Sequence, residues 1–153
     1  MTHLTADSRG LILSCPSCSQ ANRQVYRQWD AAIRCGRCKG ELVMPPAVIE
    51  VRDPLSFRAL VAEVSGPVFV DFWAPWCGPC RSVAPEIERL ASLMEREALI
   101  IKVNTEEVPE VASEHRIESI PTFVVFHRGI EMARTSGSMS ATRLKSFIQQ
   151  AIR

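Results

Sequence analysis

Two thiols three residues apart, Cys77-Gly78-Pro79-Cys80, follow directly on the apolar run Val68-Phe69-Val70-Asp71-Phe72-Trp73-Ala74-Pro75-Trp76. An apolar run that ends this way reads as a buried strand turning straight into a helix, with both sulfurs near the first helical turn. Helix N-termini carry unpaired N–H groups and a partial positive charge, and both stabilise a thiolate. The thiolate is the form that attacks disulfides, so Cys77 is expected to be a nucleophile with a lowered pKa. The arrangement reads as a redox site.

The chain has six cysteines, and they fall into three C-x-x-C pairs: Cys15/Cys18, Cys35/Cys38 and Cys77/Cys80. Their meaning depends on the compartment. No apolar stretch approaches the roughly 20 residues needed to span a bilayer. The first residues offer only Leu11-Ile12-Leu13 as an apolar core, short for the hydrophobic region of a signal peptide. A cytoplasmic, reducing location is therefore expected, where such pairs serve as metal ligands or redox catalysts. A net charge of +1 gives no electrostatic case for nucleic acid or an anionic membrane as main partner.

Residues 1–10 read as a tail. Residues 11–44 hold two of the pairs and little hydrophobic bulk, and about 34 residues seldom fold alone without a metal or disulfides. Pro45-Pro46 reads as a stiff two-residue linker. From 47 to 153 the pattern predicts β-α-β-α-β-α-β-β-α. The strands lie near 47–51, 68–73, 99–103, 122–126 and 130–135. Asp53-Pro54 and Ser140 open helices, the helix after Cys77 runs to about Arg96 with a kink expected at Pro85, and Arg128-Gly129 marks a hairpin. Strands separated by helices imply parallel pairs and the terminal hairpin an antiparallel one, so the fold class is α/β with a mixed sheet and helices on both faces.

Trp76-Cys77-Gly78-Pro79-Cys80 in this element order resembles the thioredoxin family, over roughly residues 47–153. The resemblance implies that Cys77 attacks a target disulfide and that Cys80, one turn deeper, resolves the mixed disulfide. Asp71 sits inside a strand apolar on both sides of its alternation; burial would raise its pKa and let it exchange a proton with Cys80. It matches the buried aspartate of the family, and Lys102 matches the lysine close to it, although a strand-end lysine can equally snorkel to water. Gly78 and Pro79 tune thiolate stability, and by resemblance the chain is a reductant. Ile120-Pro121-Thr122 matches the landmark whose proline is cis and whose preceding residue pairs with an extended substrate. Gly137 matches a glycine that keeps this groove open, and Trp76 supplies an apolar wall.

Cys15-Pro16-Ser17-Cys18 and Cys35-Gly36-Arg37-Cys38 are separated by sixteen residues, within the window of a four-cysteine zinc site. Four thiolates close a tetrahedral site with no open position, which makes one structural Zn²⁺ the expected ligand of Cys15, Cys18, Cys35 and Cys38. The alternative is a pair of redox disulfides. Tyr26 and Trp29 lie between the pairs, either covering the small domain's own core or exposed for stacking. With this ribbon the chain resembles the zinc-ribbon-bearing thioredoxin 2 subfamily from end to end. The function so implied is protein-disulfide reduction, with electrons from an NADPH-dependent thioredoxin reductase. The chain carries no dinucleotide fingerprint, so no bound nucleotide or flavin is expected beside the redox-active Cys77–Cys80 disulfide. A second reading makes the ribbon a redox-sensing or partner-binding module.

Overall fold

The computed structural model describes residues 4–153, in the order β1 (Leu4–Asp7), β2 (Gly10–Ser14), β3 (Ala21–Gln24), a 3-10 turn (Tyr26–Gln28), β4 (Ile33–Arg34), β5 (Glu41–Leu42), β6 (Val48–Glu50), α1 (Pro54–Glu63), β7 (Pro67–Trp73), α2 (Gly78–Leu93), β8 (Leu99–Asn104), α3 (Pro109–Glu114), β9 (Thr122–His127), β10 (Ile130–Ser136) and α4 (Ala141–Ala151). From β6 onward the order matches the sequence expectation. The helix starts are built as the residues suggest: Asp53 accepts the Ser56 N–H at 2.8 Å, and Ser140 accepts that of Arg143 at 3.3 Å. Pro85 lies inside α2.

A five-stranded sheet in the order β10-β9-β7-β8-β6 forms the centre. Strands β6 and β7 run parallel to β8, while β9 is antiparallel to both β7 and β10. The two faces of β7 part the core. Val68, Val70 and Phe72 join Phe57, Leu60 and Val111 on one face, with α1 and α3. Phe69 joins Val83, Ile87, Phe123 and Leu144 on the other, with α2 and α4. Asp71 shares the parity of Phe69, so it belongs to the face covered by the Cys80 helix.

The amino-terminal part departs from expectation in two ways. Leu4–Asp7, expected as tail, pairs with β2 in the three-stranded sheet β1-β2-β3. The Arg9 and Gly10 N–H groups donate to Asp7, which holds the turn between the two strands. The larger departure concerns the core. Leu11, Leu13, Tyr26, Trp29 and Met44 belong to the same hydrophobic cluster as Ile49, Phe57 and Val68. Tyr26 is 0% and Trp29 3% exposed, so neither serves stacking, and the core they cover is shared with the part of the chain from β6 onward. Poor in apolar residues, the cysteine-rich amino-terminal part gains its burial by docking. Trp29 lies against Gly66 just before β7, and Arg96 just past α2 donates to the Asp30 carbonyl at 2.9 Å. Both contacts lie at the ends of β7 and α2 remote from Cys77, roughly 20 Å along either element.

Candidate active site and cysteine cluster

Ala74, Pro75 and Trp76 carry the chain from β7 to α2, and Cys77 is the N-cap of that helix. Its sulfur accepts the Cys80 N–H at 3.1 Å, one of the donors a helix start leaves free. Cys77 and Cys80 are joined as a disulfide with Cα atoms 5.2 Å apart. In this oxidised form Cys77 is not the exposed group expected of an attacking thiol: it is only 4% accessible. The adjacent surface is open instead, with Trp76 65% exposed and Pro79 on the outside.

Ile120–Pro121 is cis, and the Ile120 carbonyl lies 3.7 Å from the Cys77 sulfur. The Gly137 N–H donates to the Pro121 carbonyl at 3.1 Å and ties this loop to the end of β10. Gly137 has φ +92°, and a Cβ there would meet no atom within 4 Å. Its backbone requires glycine, and its side of the groove is open. The structure thus brings the Ile120–Pro121 loop and Gly137 beside the disulfide, with Trp76 directly before it in the chain. Sequence reasoning missed what orients the indole: Trp76 Nε1 donates to Glu106 at 2.6 Å, and Asn104 Oδ1 accepts the Glu106 N–H at 2.9 Å. Nothing in the residue order near Glu106 signals a partner thirty positions away.

Asp71 is buried beneath this surface, in register with Lys102 on the parallel neighbour β8. Burial pushes its carboxyl up to about 7, against the opposing pull of the Lys102 ammonium. The ammonium also lies 4.2 Å over the Trp73 ring, a cation–π geometry. Lys102 is half-buried between carboxyl and indole, so it does more than snorkel.

The other four cysteines are free and converge. Their sulfurs all lie within 4.8 Å of one another, with Cys15–Cys38 and Cys18–Cys35 at 3.6 Å. A tetrahedron of Zn–S bonds near 2.3 Å has sulfurs about 3.8 Å apart, whereas a disulfide needs about 2.05 Å. The spacing fits a four-sulfur metal site. Two like turns build it: Cys15 N–H donates to the Gln20 carbonyl and Cys35 N–H to that of Gly40, each at 2.9 Å. The Cys38 N–H, then those of Arg37 and the Asn22 side chain, hold the Cys35 thiol down at about 6 against burial. The Gln20 N–H pulls Cys18 down, yet burial and the neighbouring sulfurs together raise it to about 11. Four thiols this close cannot all ionise without a cation among them. Asn22, another residue the sequence did not signal, accepts the Gly36 N–H at 2.9 Å and reaches the Cys35 sulfur with Nδ2 at 3.5 Å.

The family model for Thioredoxin matches residues 47–150. The chain belongs to the thioredoxin family. Thioredoxin 1 of Nostoc sp. is 41% identical over 104 residues, covering 68% of this chain and 96% of that protein. Thioredoxin C-3 of Corynebacterium nephridii is 30% identical over 142 residues, 93% of this chain and 96% of that protein, so its likeness reaches into the cysteine-rich region. Among solved structures, a Plasmodium falciparum thioredoxin superposes with a TM-score of 0.61 at 33% identity, over 66% of this chain and 96% of that one. A mutant thioredoxin from Halobacterium salinarum reaches 0.64 at 27%, over 71% and 94%. As a thioredoxin the chain is a thiol–disulfide oxidoreductase, a protein-disulfide reductase whose redox centre is the Cys77–Cys80 disulfide. Among the described residues no helix is long and apolar enough to cross a membrane.

Proposed function

We propose that this chain is a cytoplasmic, zinc-ribbon-bearing thioredoxin, in which residues 47–153 reduce protein disulfides and residues 11–44 hold one structural zinc ion. The observation that carries the reading is the Cys77 sulfur at the α2 N-terminus, accepting the Cys80 N–H and facing the Ile120 carbonyl. In the reduced protein that N–H and the helix dipole favour the Cys77 thiolate. An extended target strand pairs with the Ile120 backbone along the open side at Gly137, against Trp76. The Cys77 thiolate attacks one sulfur of the target disulfide, forming a mixed disulfide and releasing the other sulfur as a thiolate. Asp71, on the face covered by α2, takes the proton from Cys80. The Cys80 thiolate then attacks the Cys77 sulfur, the Cys77–Cys80 bond forms, and the second target thiolate leaves. Two electrons have passed to the target. An NADPH-dependent thioredoxin reductase restores the dithiol.

Cys15, Cys18, Cys35 and Cys38 would hold the zinc; the sulfur spacing and the N–H donors to the thiols support this. When bound, the ion supplies a closed structural crosslink and no catalytic position. Insulin reduction with reductase and NADPH tests the reading. Cys77→Ser should stop turnover and Cys80→Ser should accumulate a mixed disulfide with the target. Full activity in Cys77→Ser would refute it. The other reading, redox sensing by the ribbon, is separated by zinc content before and after peroxide: it requires that the metal be lost.

A further inference from the structure

Thr122 opens β9 immediately after the Ile120–Pro121 bond and is 3% exposed. Its hydroxyl oxygen lies 2.5 Å from the Ser119 carbonyl, 3.0 Å from the Ser136 hydroxyl and 3.5 Å from that of Ser119. A threonine hydroxyl has one proton to give. The short contact to the carbonyl uses it, so Thr122 must accept from Ser136. The chain of donation runs from the Ser136 hydroxyl through Thr122 to the backbone one residue before Ile120. Ser136 in turn pairs with Thr122 in the β9–β10 ladder and directly precedes Gly137, whose N–H holds the Pro121 carbonyl. The Ser119–Pro121 loop is therefore fastened to the end of β10 twice, once by backbone and once by three converging hydroxyls.

We propose that Thr122 is a positioning residue for the substrate groove, its buried hydroxyl bridging Ser136 to the Ser119 carbonyl so that Ile120 presents its backbone to a substrate strand at a set height beside Cys77. Thr122 does not touch the reacting sulfurs; it acts through Ile120. A buried hydrogen-bond relay of this kind removes loop positions that would otherwise have to be frozen out on binding. Its loss should weaken the pairing of an extended polypeptide and leave sulfur exchange itself little affected.

The inference rests on the reading that Ile120 pairs with the target of Cys77, and the two fail separately. An active Cys77→Ser protein sinks that reading. An inactive Cys77→Ser beside an unimpaired Thr122→Val sinks only the clamp. The test is steady-state reduction of insulin by the whole, zinc-loaded chain with dithiothreitol as reductant. It compares Thr122→Val, which keeps shape and loses the hydroxyl, with Thr122→Ser, which keeps the hydroxyl. Thr122→Val should raise KM about fivefold to tenfold with kcat changed less than about twofold, the size expected for one buried hydrogen bond. Thr122→Ser should stay within about twofold of the parent. Ser136→Ala, at an exposed strand end where folding is not at risk, should give an intermediate KM. Rates with a small aryl disulfide, which offers no backbone to pair, should fall less than those with insulin. An unchanged KM in Ser136→Ala or Thr122→Val, equal losses in Thr122→Val and Thr122→Ser, or equal losses on both substrates would overturn the proposal.

Discussion

The three C-x-x-C turns of this protein begin alike and part at a single residue. In each, the residue after the second cysteine donates its N–H to the carbonyl of the first: Arg81 to Cys77 at 3.1 Å, Ser19 to Cys15 at 2.9 Å, Lys39 to Cys35 at 3.1 Å. Arg81 continues a right-handed helix. Ser19 and Lys39 turn left-handed, with φ of 62° and 64°, and return the chain to Gln20 and Gly40. Helical continuation leaves Cys77 and Cys80 at a helix N-terminus, paired with each other. Reversal turns each of the other pairs toward its twin. The same spacing thus yields a redox couple in one place and a metal-type cage in the other, and the backbone after the motif decides which.

The sharpest way to break this comparison is to disable one cysteine of each kind. Cys77→Ser should cost about a thousandfold or more in insulin reduction, because the attacking thiolate is gone. Cys35→Ser should lose bound zinc and thermal stability while the folded fraction still turns over. An equal loss of turnover in both would erase the distinction.

The regions also differ in how each buries polar groups. Asp71 has a folded pKa near 7 against an ordinary value of 3.8, so its cost is absent below about pH 4 and is felt in full above about pH 7. The Asp71 contribution should fall as pH rises through that window, by up to about 4 kcal/mol, against the opposite trend from Asp7, Glu114 and Glu131, whose arginine partners hold their carboxyls low. Asp71→Asn should therefore gain stability over the parent progressively from pH 4 to pH 8, raising Tm at pH 8 but not at pH 4, as read by calorimetry. A parallel slope in both proteins would contradict the burial argument.

Trp29 joins the two regions. Trp29→Ala should cost about 3–5 kcal/mol in urea unfolding, as for any large buried aromatic. Because the core is shared, catalytic part and ribbon should unfold in one transition; two separate transitions in the parent protein would show that the ribbon folds for itself. The smallest effect concerns Asn22. Asn22→Ala should release zinc to a chelator about tenfold faster, as expected for an outer partner of a ligand, with insulin turnover unaffected.

Much of this was legible in the residues. The alternation and caps from Val48 to Ala151 sufficed to order the catalytic elements, because buried strands and capped helices are local signals. Cys77 and Asp71 also announced themselves, each being an unusual residue for its immediate setting, whereas Pro121 looks locally like any strand-starting proline and was marked only by resemblance to the family. What stayed hidden depends on contact across the chain. Leu4–Asp7 is too short and polar to read as a strand until β2 lies beside it. Tyr26 and Trp29 have their partners in another part of the fold, so the shared core left no local trace. Glu106, Thr122 and Asn22 are ordinary polar residues whose roles exist only through partners that folding brings to them.

The central claim is that one motif performs two chemistries, and one measurement addresses it directly. The reduced, zinc-loaded chain is mixed with a disulfide protein, quenched by alkylation, and examined for disulfide position and zinc content together. The expected result is a Cys77–Cys80 disulfide alone, four cysteines protected as a set, and one zinc per chain before and after. A disulfide within Cys15/Cys18 or Cys35/Cys38, or zinc lost in step with target reduction, would contradict it.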